Sequence, residues 1–460
     1  MSTDAPPSSD VLSRLVAELG DAVTTAPGDL DAVRADQSGH RSDAPPLALV
    51  RARSIEDVQA VLRIASATRT PVVTRGAGTG LAGGAIGGAG EIVLSTAAMD
   101  RVLEVSRDDE LAVVQPGILN AELNRHLQPY GLWWAPDPAS RAISTVGGNI
   151  ATNAGGLLCV KYGVTREAVL GLKVVLADGR LLELGHRTVK GVTGLDFTAL
   201  MIGSEGLLGV IVEATLKLRP LVPGAIATVS AAFPSVEDAA RAASVISASG
   251  LRPAIMELIG ESAMDAIAAH LGIDHPGGSQ LIVQTDGPAA EAEAQAIVAS
   301  IRSLGGAVQV STDPVESERL FGIRRSFHAS MTAVGTVLIE DVSVPRSTLP
   351  AMFAEIGRIE RAYGLSIPTV AHAGDGNLHP NFVIPAGTPA GEVPDQVWAA
   401  ADELFVTALR LGGTLTGEHG IGILKRRWLR DELGDDQLQL QRQVKAVFDP
   451  LGILNPGKVF

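Results

Sequence analysis

An α+β architecture of two or more domains is what this sequence predicts. Three observations carry that prediction. Short β-prone runs alternate with amphipathic helical runs along most of the chain. Between residues 226 and 311 they repeat as strand, helix, strand, a layer with one helical face. Leu221-Val-Pro-Gly224 separates this repeat from an earlier part rich in glycine loops.

In chain order, Asp10 can cap a helix that turns Val11, Leu12, Leu15, Val16 and Leu19 to one side before Gly20 stops it. After a strand at 47–50, Ser54-Ile-Glu-Asp57 reads as a capping box, with Ile55, Val58, Val61, Leu62 and Ala65 facing inward. Strands are expected at 71–74, 92–96 and 111–115, then a helix at 119–129. Strands at 172–177 and 181–184 join through Asp178-Gly179, followed by a helix near 197–202 and a strand at 210–218. Beyond the boundary, strands at 226–233, 254–258, 281–285 and 307–311 alternate with helices. A helix from 315 to about 333 places Arg324 and His328 on one face. A strand at 336–344 and a helix at 349–363 precede a hairpin, and the end is helical.

The strand at 71–74 runs into Arg75-Gly-Ala-Gly-Thr-Gly-Leu-Ala-Gly-Gly84. Gly78-Thr-Gly-Leu-Ala-Gly83 matches the dinucleotide fingerprint, so a nicotinamide site has to be weighed. That fingerprint needs a helix directly after the glycines, and Ala85-Ile-Gly-Gly-Ala-Gly90 is poor helix material. What remains is a loop of exposed amides with Arg75 at its mouth, suited to a pyrophosphate. A second glycine-rich run, Ser144-Thr-Val-Gly-Gly-Asn-Ile-Ala-Thr-Asn-Ala-Gly-Gly156, suits backbone packed edge-on to a flat ring system. A third is Gly203-Ser-Glu-Gly-Leu-Leu-Gly209.

His372-Ala-Gly-Asp-Gly-Asn-Leu-His379 lies between two apolar, β-prone runs. Asp375-Gly376 favours a two-residue hairpin turn, which would set His372 directly opposite His379 with Cβ atoms roughly 5 Å apart. Two imidazoles so placed can share a divalent cation, although histidines also simply stack across hairpins. Downstream, Gly413-Thr-Leu-Thr-Gly-Glu418-His419-Gly-Ile-Gly422 offers a carboxylate ligand and, pointing the other way, a free base.

A net charge of -14 argues against nucleic acid and against an anionic membrane surface as partners. The single cysteine, Cys159, excludes a disulfide framework and a protein-ligated iron–sulfur cluster. The polar opening at 1–10 lacks the features of a signal peptide, and no apolar run reaches the ~20 residues of a membrane span. The expectation is a cytoplasmic protein, with peripheral membrane association and a homodimer both open.

Taken together, these runs resemble the flavoproteins of the vanillyl-alcohol oxidase/p-cresol methylhydroxylase fold. Within them the chain is similar to the D-2-hydroxy acid dehydrogenase branch, which holds D-lactate dehydrogenase, the glycolate oxidase flavin subunit and D-2-hydroxyglutarate dehydrogenase. The resemblance rests on residues 75–84, 136–140 with 145–156, 203–209, 372–379 with Glu418-His419, and Asn455-Pro-Gly-Lys458. It implies a p-cresol methylhydroxylase-type FAD-binding domain of two α/β subdomains at 45–222. A lead-in at 1–44 precedes it, a cap domain with a helix-covered antiparallel sheet spans 223–410, and a helical segment at 411–460 returns to the flavin.

By the same resemblance, FAD lies with its pyrophosphate on Arg75, Gly76, Ala77, Gly78, Thr79, Gly80, Leu81, Gly83 and Gly84. Pro136, Asp137, Ser140, Thr145, Gly147, Gly148, Asn149, Thr152, Asn153 and Gly155 line the cofactor, with Glu205, Gly209, Ile211 and Asn455. The glycine loop offers Thr79 and no histidine, which implies non-covalent FAD. His372, His379 and Glu418 would hold a divalent metal: zinc, with manganese or iron as the other candidates. His419 would take the hydroxyl proton, Arg324 would grip the substrate carboxylate, and hydride would pass to flavin N5. Where the 2-hydroxyglutarate members add a Thr and a Lys, this chain has His328 and Ile339. The implied activity is oxidation of a small 2-hydroxy acid, with electrons leaving to an unidentified non-NAD acceptor. D-2-hydroxyglutarate oxidation and a non-catalytic flavin subunit are the alternatives.

Overall fold

The computed structural model describes residues 8–389 and 391–460, so residues 1–7 of the expected 1–44 lead-in and residue 390 lie outside it. The chain forms two compact units: 1–155, 163–221 and 418–460 make the first, 156–162 and 222–417 the second.

The first unit carries two sheets. β1 (Val23–Thr24), β2 (Ala48–Arg51), β3 (Val72–Arg75) and β4 (Ile92–Ser95) line up as β1-β2-β4-β3. β4 runs parallel to both β2 and β3. Parallel neighbours need a crossover, and the helix Ile55–Thr68 supplies it, with Ser54 accepting from the Asp57 amide as its capping box predicts. The apolar faces of Ser8–Leu19 and Ile55–Thr68 pack together, with Leu15, Val58, Val61 and Leu62 in the core. That first helix is already under way at Ser8, the first described residue, so Asp10 lies inside it and does not cap it.

The second sheet is antiparallel, ordered β5-β6-β10-β8-β9. It comprises β5 (Val102–Ser106), β6 (Leu111–Val114), β8 (Val169–Val175), β9 (Leu181–Gly185) and β10 (Val210–Lys217), while β7 (Leu132–Trp133) pairs with β11 (Arg219–Pro220). The tail closes the unit from the far end of the chain. Val72 donates to the Ile453 carbonyl at 2.7 Å and Asn455 donates to that of Val72 at 2.8 Å, extending the first sheet beyond β3. Buried Asp449 fixes the approach, accepting from the Ile453 and Leu454 amides and pairing with Lys445.

The second unit is one eight-stranded sheet. It holds β12 (Ala225–Phe233), β13 (Ile255–Ile259), β14 (Ser279–Gly287), β15 (Ala307–Ser311), β16 (Val337–Ile339), β17 (Val342–Ser343), β18 (Thr369–His372) and β19 (Asn377–Val383). The order is β15-β12-β14-β13-β18-β19-β16, with β17 also on β19. All its pairings are antiparallel. Helices Val236–Ala248, Glu261–Leu271, Ala290–Ser303 and Leu349–Tyr363 bury their alanine- and isoleucine-rich faces.

Four local expectations are corrected. Residues 145–156 include a helix, Val146–Thr152, despite Gly147-Gly148: Thr145 caps its start, and left-handed Asn153 closes its end. A Cβ at Gly147 would strike Pro116, so the glycine serves close approach rather than flexibility. The helix expected at 315–333 breaks at Ser326 into Pro314–Arg325 and Phe327–Val334, so Arg324 and His328 do not share one helix face. The strand expected at 336–344 is interrupted at Glu340-Asp341, both buried. The hairpin register also differs, as described next.

Candidate active site

β18 and β19 pair His372 with Asn377 and Val370 with His379, so the histidines sit diagonally rather than opposite. The turn takes four residues instead of two. His372 accepts from the Asp375 and Gly376 amides, and the Asp375 carboxylate accepts from the Asn377 amide at 3.2 Å. Gly374 packs where a Cβ would hit Val160, and Gly376, at φ 89°, where one would hit the Val344 carbonyl. These contacts draw both glycines into the turn. A shift of two residues preserves the face, and the imidazole centroids lie 5.0 Å apart with planes at 84°.

Two acidic residues that the sequence reading missed organise this pair. Glu257, 0% exposed in the middle of β13, accepts from His372 Nδ1 at 2.7 Å and from Arg324 Nε at 2.8 Å. With a proton on Nδ1 directed at this carboxylate, the lone pair of the His372 ring lies on Nε2. Asp341, also 0% exposed, places Oδ1 3.9 Å from His379 Nδ1. Its Oδ2 accepts from Thr416 Oγ1 at 2.5 Å and from the Gly417 amide at 2.9 Å. Gly417 is followed directly by Glu418 and His419. Each had a sequence signal: a lone carboxylate in Ile255-Met-Glu-Leu-Ile259, and Glu-Asp inside an apolar run at 337–344.

In the first unit, Glu418 and His419 open the stretch that leads to the tail, with 3.9 Å between Oε1 and Nε2. A Cβ on Gly155 would collide with the Glu418 carboxylate, so the second glycine-rich run and Glu418 are in contact. Glu205 holds the other side of this stretch, accepting from the Ile421 and Gly422 amides at 2.8 Å each. Burial pushes the Glu205 carboxyl above the ordinary carboxylate range, against those amides and the Lys425 charge. Its folded value exceeds its unfolded one. The stability tied to the protonated form is therefore complete below the unfolded value and is lost as pH rises through the folded value. Glu205→Gln cannot titrate, so wild type gains stability relative to it as pH falls from about 7 to about 5. Urea unfolding of both proteins at the two pH values checks this sign, and a gap that narrows in favour of the variant contradicts it.

The remaining residues expected around the cofactor all fall in the first unit. Arg75 donates Nη1 to the Ala85 carbonyl at 2.8 Å, and burial holds its pKa below the ordinary arginine value. The amides of Gly76, Ala77, Gly78, Thr79, Gly80 and Leu81 donate to no protein acceptor among the described residues. They follow the C-terminal end of a parallel strand, where open α/β sheets place their ligands. A run of unused amides beside an arginine fits a diphosphate, and a dinucleotide flavin supplies one. Several other expected ligands spend their side chains on the protein. Asn149 bonds Asn120 and Ser144, Thr152 bonds the Gly148 carbonyl, and Asn153 accepts from the Arg166 amide. Asn455 donates to the Glu205 carbonyl at 2.6 Å and accepts from Thr74. Pro136 accepts from Asn120, buried Asp137 faces Arg141 at 3.7 Å, and the Ser140 carbonyl caps the 140–144 turn. Gly209 abuts Val174, and Ile211 lies in β10. These residues shape the floor of the loops.

Residues 46–185 match the FAD binding domain, and residues 222–459 match the FAD linked oxidases, C-terminal domain. The glycolate oxidase subunit GlcD of Bacillus subtilis is 38% identical over 90% of this chain and 89% of its own length. The D-2-hydroxyglutarate dehydrogenase of Xanthomonas citri pv. viticola is 36% identical over 95% of this chain and 93% of its own. For the D-lactate dehydrogenase of Archaeoglobus fulgidus the values are 33%, 89% and 90%. Among solved structures, p-cresol methylhydroxylase superposes with a TM-score of 0.79 over 98% of this chain and 96% of its own, at 18% identity.

Proposed function

The chain belongs to the FAD-linked oxidases, and we propose that it oxidises a small D-2-hydroxy acid of the lactate or glycolate type to the 2-oxo acid. The observation that carries this reading is Glu257, which ties a carboxylate-binding cation, Arg324, to a metal-binding imidazole, His372. A 2-hydroxy acid presents the matching pair, a carboxylate beside a hydroxyl. We assign FAD binding to 45–222, substrate binding to 223–410 and the returning segment to 411–460. The flavin is non-covalent, since the 75–84 loop carries no histidine.

The 75–84 loop and the two later glycine-rich runs would hold FAD, which would supply the acceptor for the α-hydrogen and its electron pair. His372, His379 and Glu418 would hold a divalent ion, zinc first among the candidates, and such an ion would supply a Lewis acid for the substrate hydroxyl. Arg324 commits Nε to Glu257 and presents Nη1 and Nη2 to the substrate carboxylate, a fork that lysine cannot copy. His419 receives the hydroxyl proton on a ring nitrogen. Asp341 on Gly417 and Glu205 on Ile421 and Gly422 hold the chain on either side of Glu418-His419, which orders the ligand and the base together. Electrons leave to a non-NAD acceptor such as a quinone, a cytochrome, oxygen or another protein.

A short acid is favoured over D-2-hydroxyglutarate because a second carboxylate needs its own donors. Ile339 offers none, and His328 is exposed. Anaerobic mixing of the flavoprotein with D-lactate, L-lactate, glycolate, D-malate and D-2-hydroxyglutarate tests the reading. Bleaching should be fastest with D-lactate or glycolate and absent with L-lactate. Bleaching by none of the five would overturn the proposal.

A further inference from the structure

We propose that Lys458 is a diphosphate-binding residue of the FAD site, its ammonium sitting beneath the 75–84 loop and pairing with the cofactor's phosphates. Lys458 is only 5% exposed, and its Nζ makes no hydrogen bond to protein. A buried ammonium without a partner is costly and calls for an anion.

Its surroundings indicate which anion. The charges that act on Lys458 are Glu91 and Asp36. Glu91 already accepts from the Gly88 amide at 2.6 Å, and Asp36 Oδ1 from Ser38. Asp36 Oδ2, itself buried and without a hydrogen-bond partner, approaches Gly80 of the loop, and its charge reaches Arg75 as well. Lys458 and Arg75 thus both feel the charge of Asp36, whose carboxylate lies against Gly80 of the loop. Asp36 and Glu91 act on Lys458 through charge but make no hydrogen bond to its Nζ, so the donors of the ammonium remain for the oxygens of a diphosphate.

The backbone around Lys458 is built to hold it there. Asn455 and Val459 both take left-handed conformations, at φ 42° and 65°. That conformation is an outlier for a β-branched residue such as Val459. Val459 is held by its amide on the Gly422 carbonyl at 2.7 Å, and Asn455 by the Glu205 and Gly84 carbonyls. The lysine that this strained tail carries is buried, where an ordinary surface lysine would turn to water. Burial also holds the ammonium pKa below its usual value, and a phosphate partner restores it.

This inference rests on FAD being the cofactor, and the test separates the two claims. Apo-protein is titrated with FAD, following the quenching of flavin fluorescence at two salt concentrations. Wild type should bind, and more weakly at high salt. Lys458→Met should weaken binding roughly 10–100-fold, the range for losing one charge-assisted bond, and should flatten the salt dependence. Lys458→Arg should stay within a few-fold of wild type. A measurement without a variant guards against misfolding of the Met protein. Titration of wild type at several pH values from about 7 to about 10, in buffers of different ionisation enthalpy, should show proton uptake on FAD binding within that range. Lys458→Met binding within twofold of wild type, or wild-type binding without proton uptake, overturns the assignment while leaving FAD in place. Failure of wild type to bind FAD at all would sink both.

Discussion

Glu257→Gln should lower affinity for the proposed divalent metal by about 10–100-fold, the usual cost of losing the carboxylate behind a ligating histidine. Glu257 is fully buried and meets two donors, His372 Nδ1 and Arg324 Nε. A glutamine has one oxygen for those two donors, and its NH₂ group must face the other. The imidazole is then free to take the opposite tautomer, which removes the lone pair from the ligand nitrogen. The arginine keeps its charge in a buried place without its counterion, a change that typically costs about 3–5 kcal/mol. Metal titration of the chelated protein and a melting curve read the two effects separately. Metal affinity within twofold of wild type would show that Glu257 serves Arg324 alone.

Removing the base should have an even larger effect on rate. His419→Gln is expected to slow reduction of the flavin by substrate about 10²–10⁴-fold, the range for a positioned general base. FAD content and metal content should not change, because the anchors of this stretch lie on either side of His419, at Gly417 and at Ile421 and Gly422. The acid limb of the pH–rate profile should disappear with the imidazole. Stopped-flow reduction across pH checks both points. A variant that keeps the acid limb while losing rate would assign the proton to another group.

The candidate site residues could be picked out in the linear chain because each group of them is local. The 75–84 loop, the hairpin histidines and Glu418-His419 are each contiguous, and turn chemistry or ligand chemistry shows in residue types. Helix capping was equally visible at Ser54, since a cap is set by its own next three residues. What stayed hidden depends on partners far along the chain. Glu257 lies 115 positions from the His372 it orients, and the Asp341 that holds Gly417 is 76 positions away. The hairpin register failed for a related reason. Asp375-Gly376 does signal a turn, yet Gly374 on Val160 and Gly376 on the Val344 carbonyl set its length. The helix at 146–152 was hidden by Gly147-Gly148, whose low propensity is overcome by caps at both ends.

The most direct test of the metal-assisted oxidation follows the flavin itself. The holoprotein is mixed anaerobically with its best D-2-hydroxy acid before chelation, after chelation, and after readdition of zinc, manganese or iron. The account predicts rapid bleaching, its loss on chelation with FAD retained, and its return with one of the three ions. Undiminished bleaching in the chelated protein would contradict it, leaving an FAD-linked oxidase whose hairpin histidines serve some other purpose.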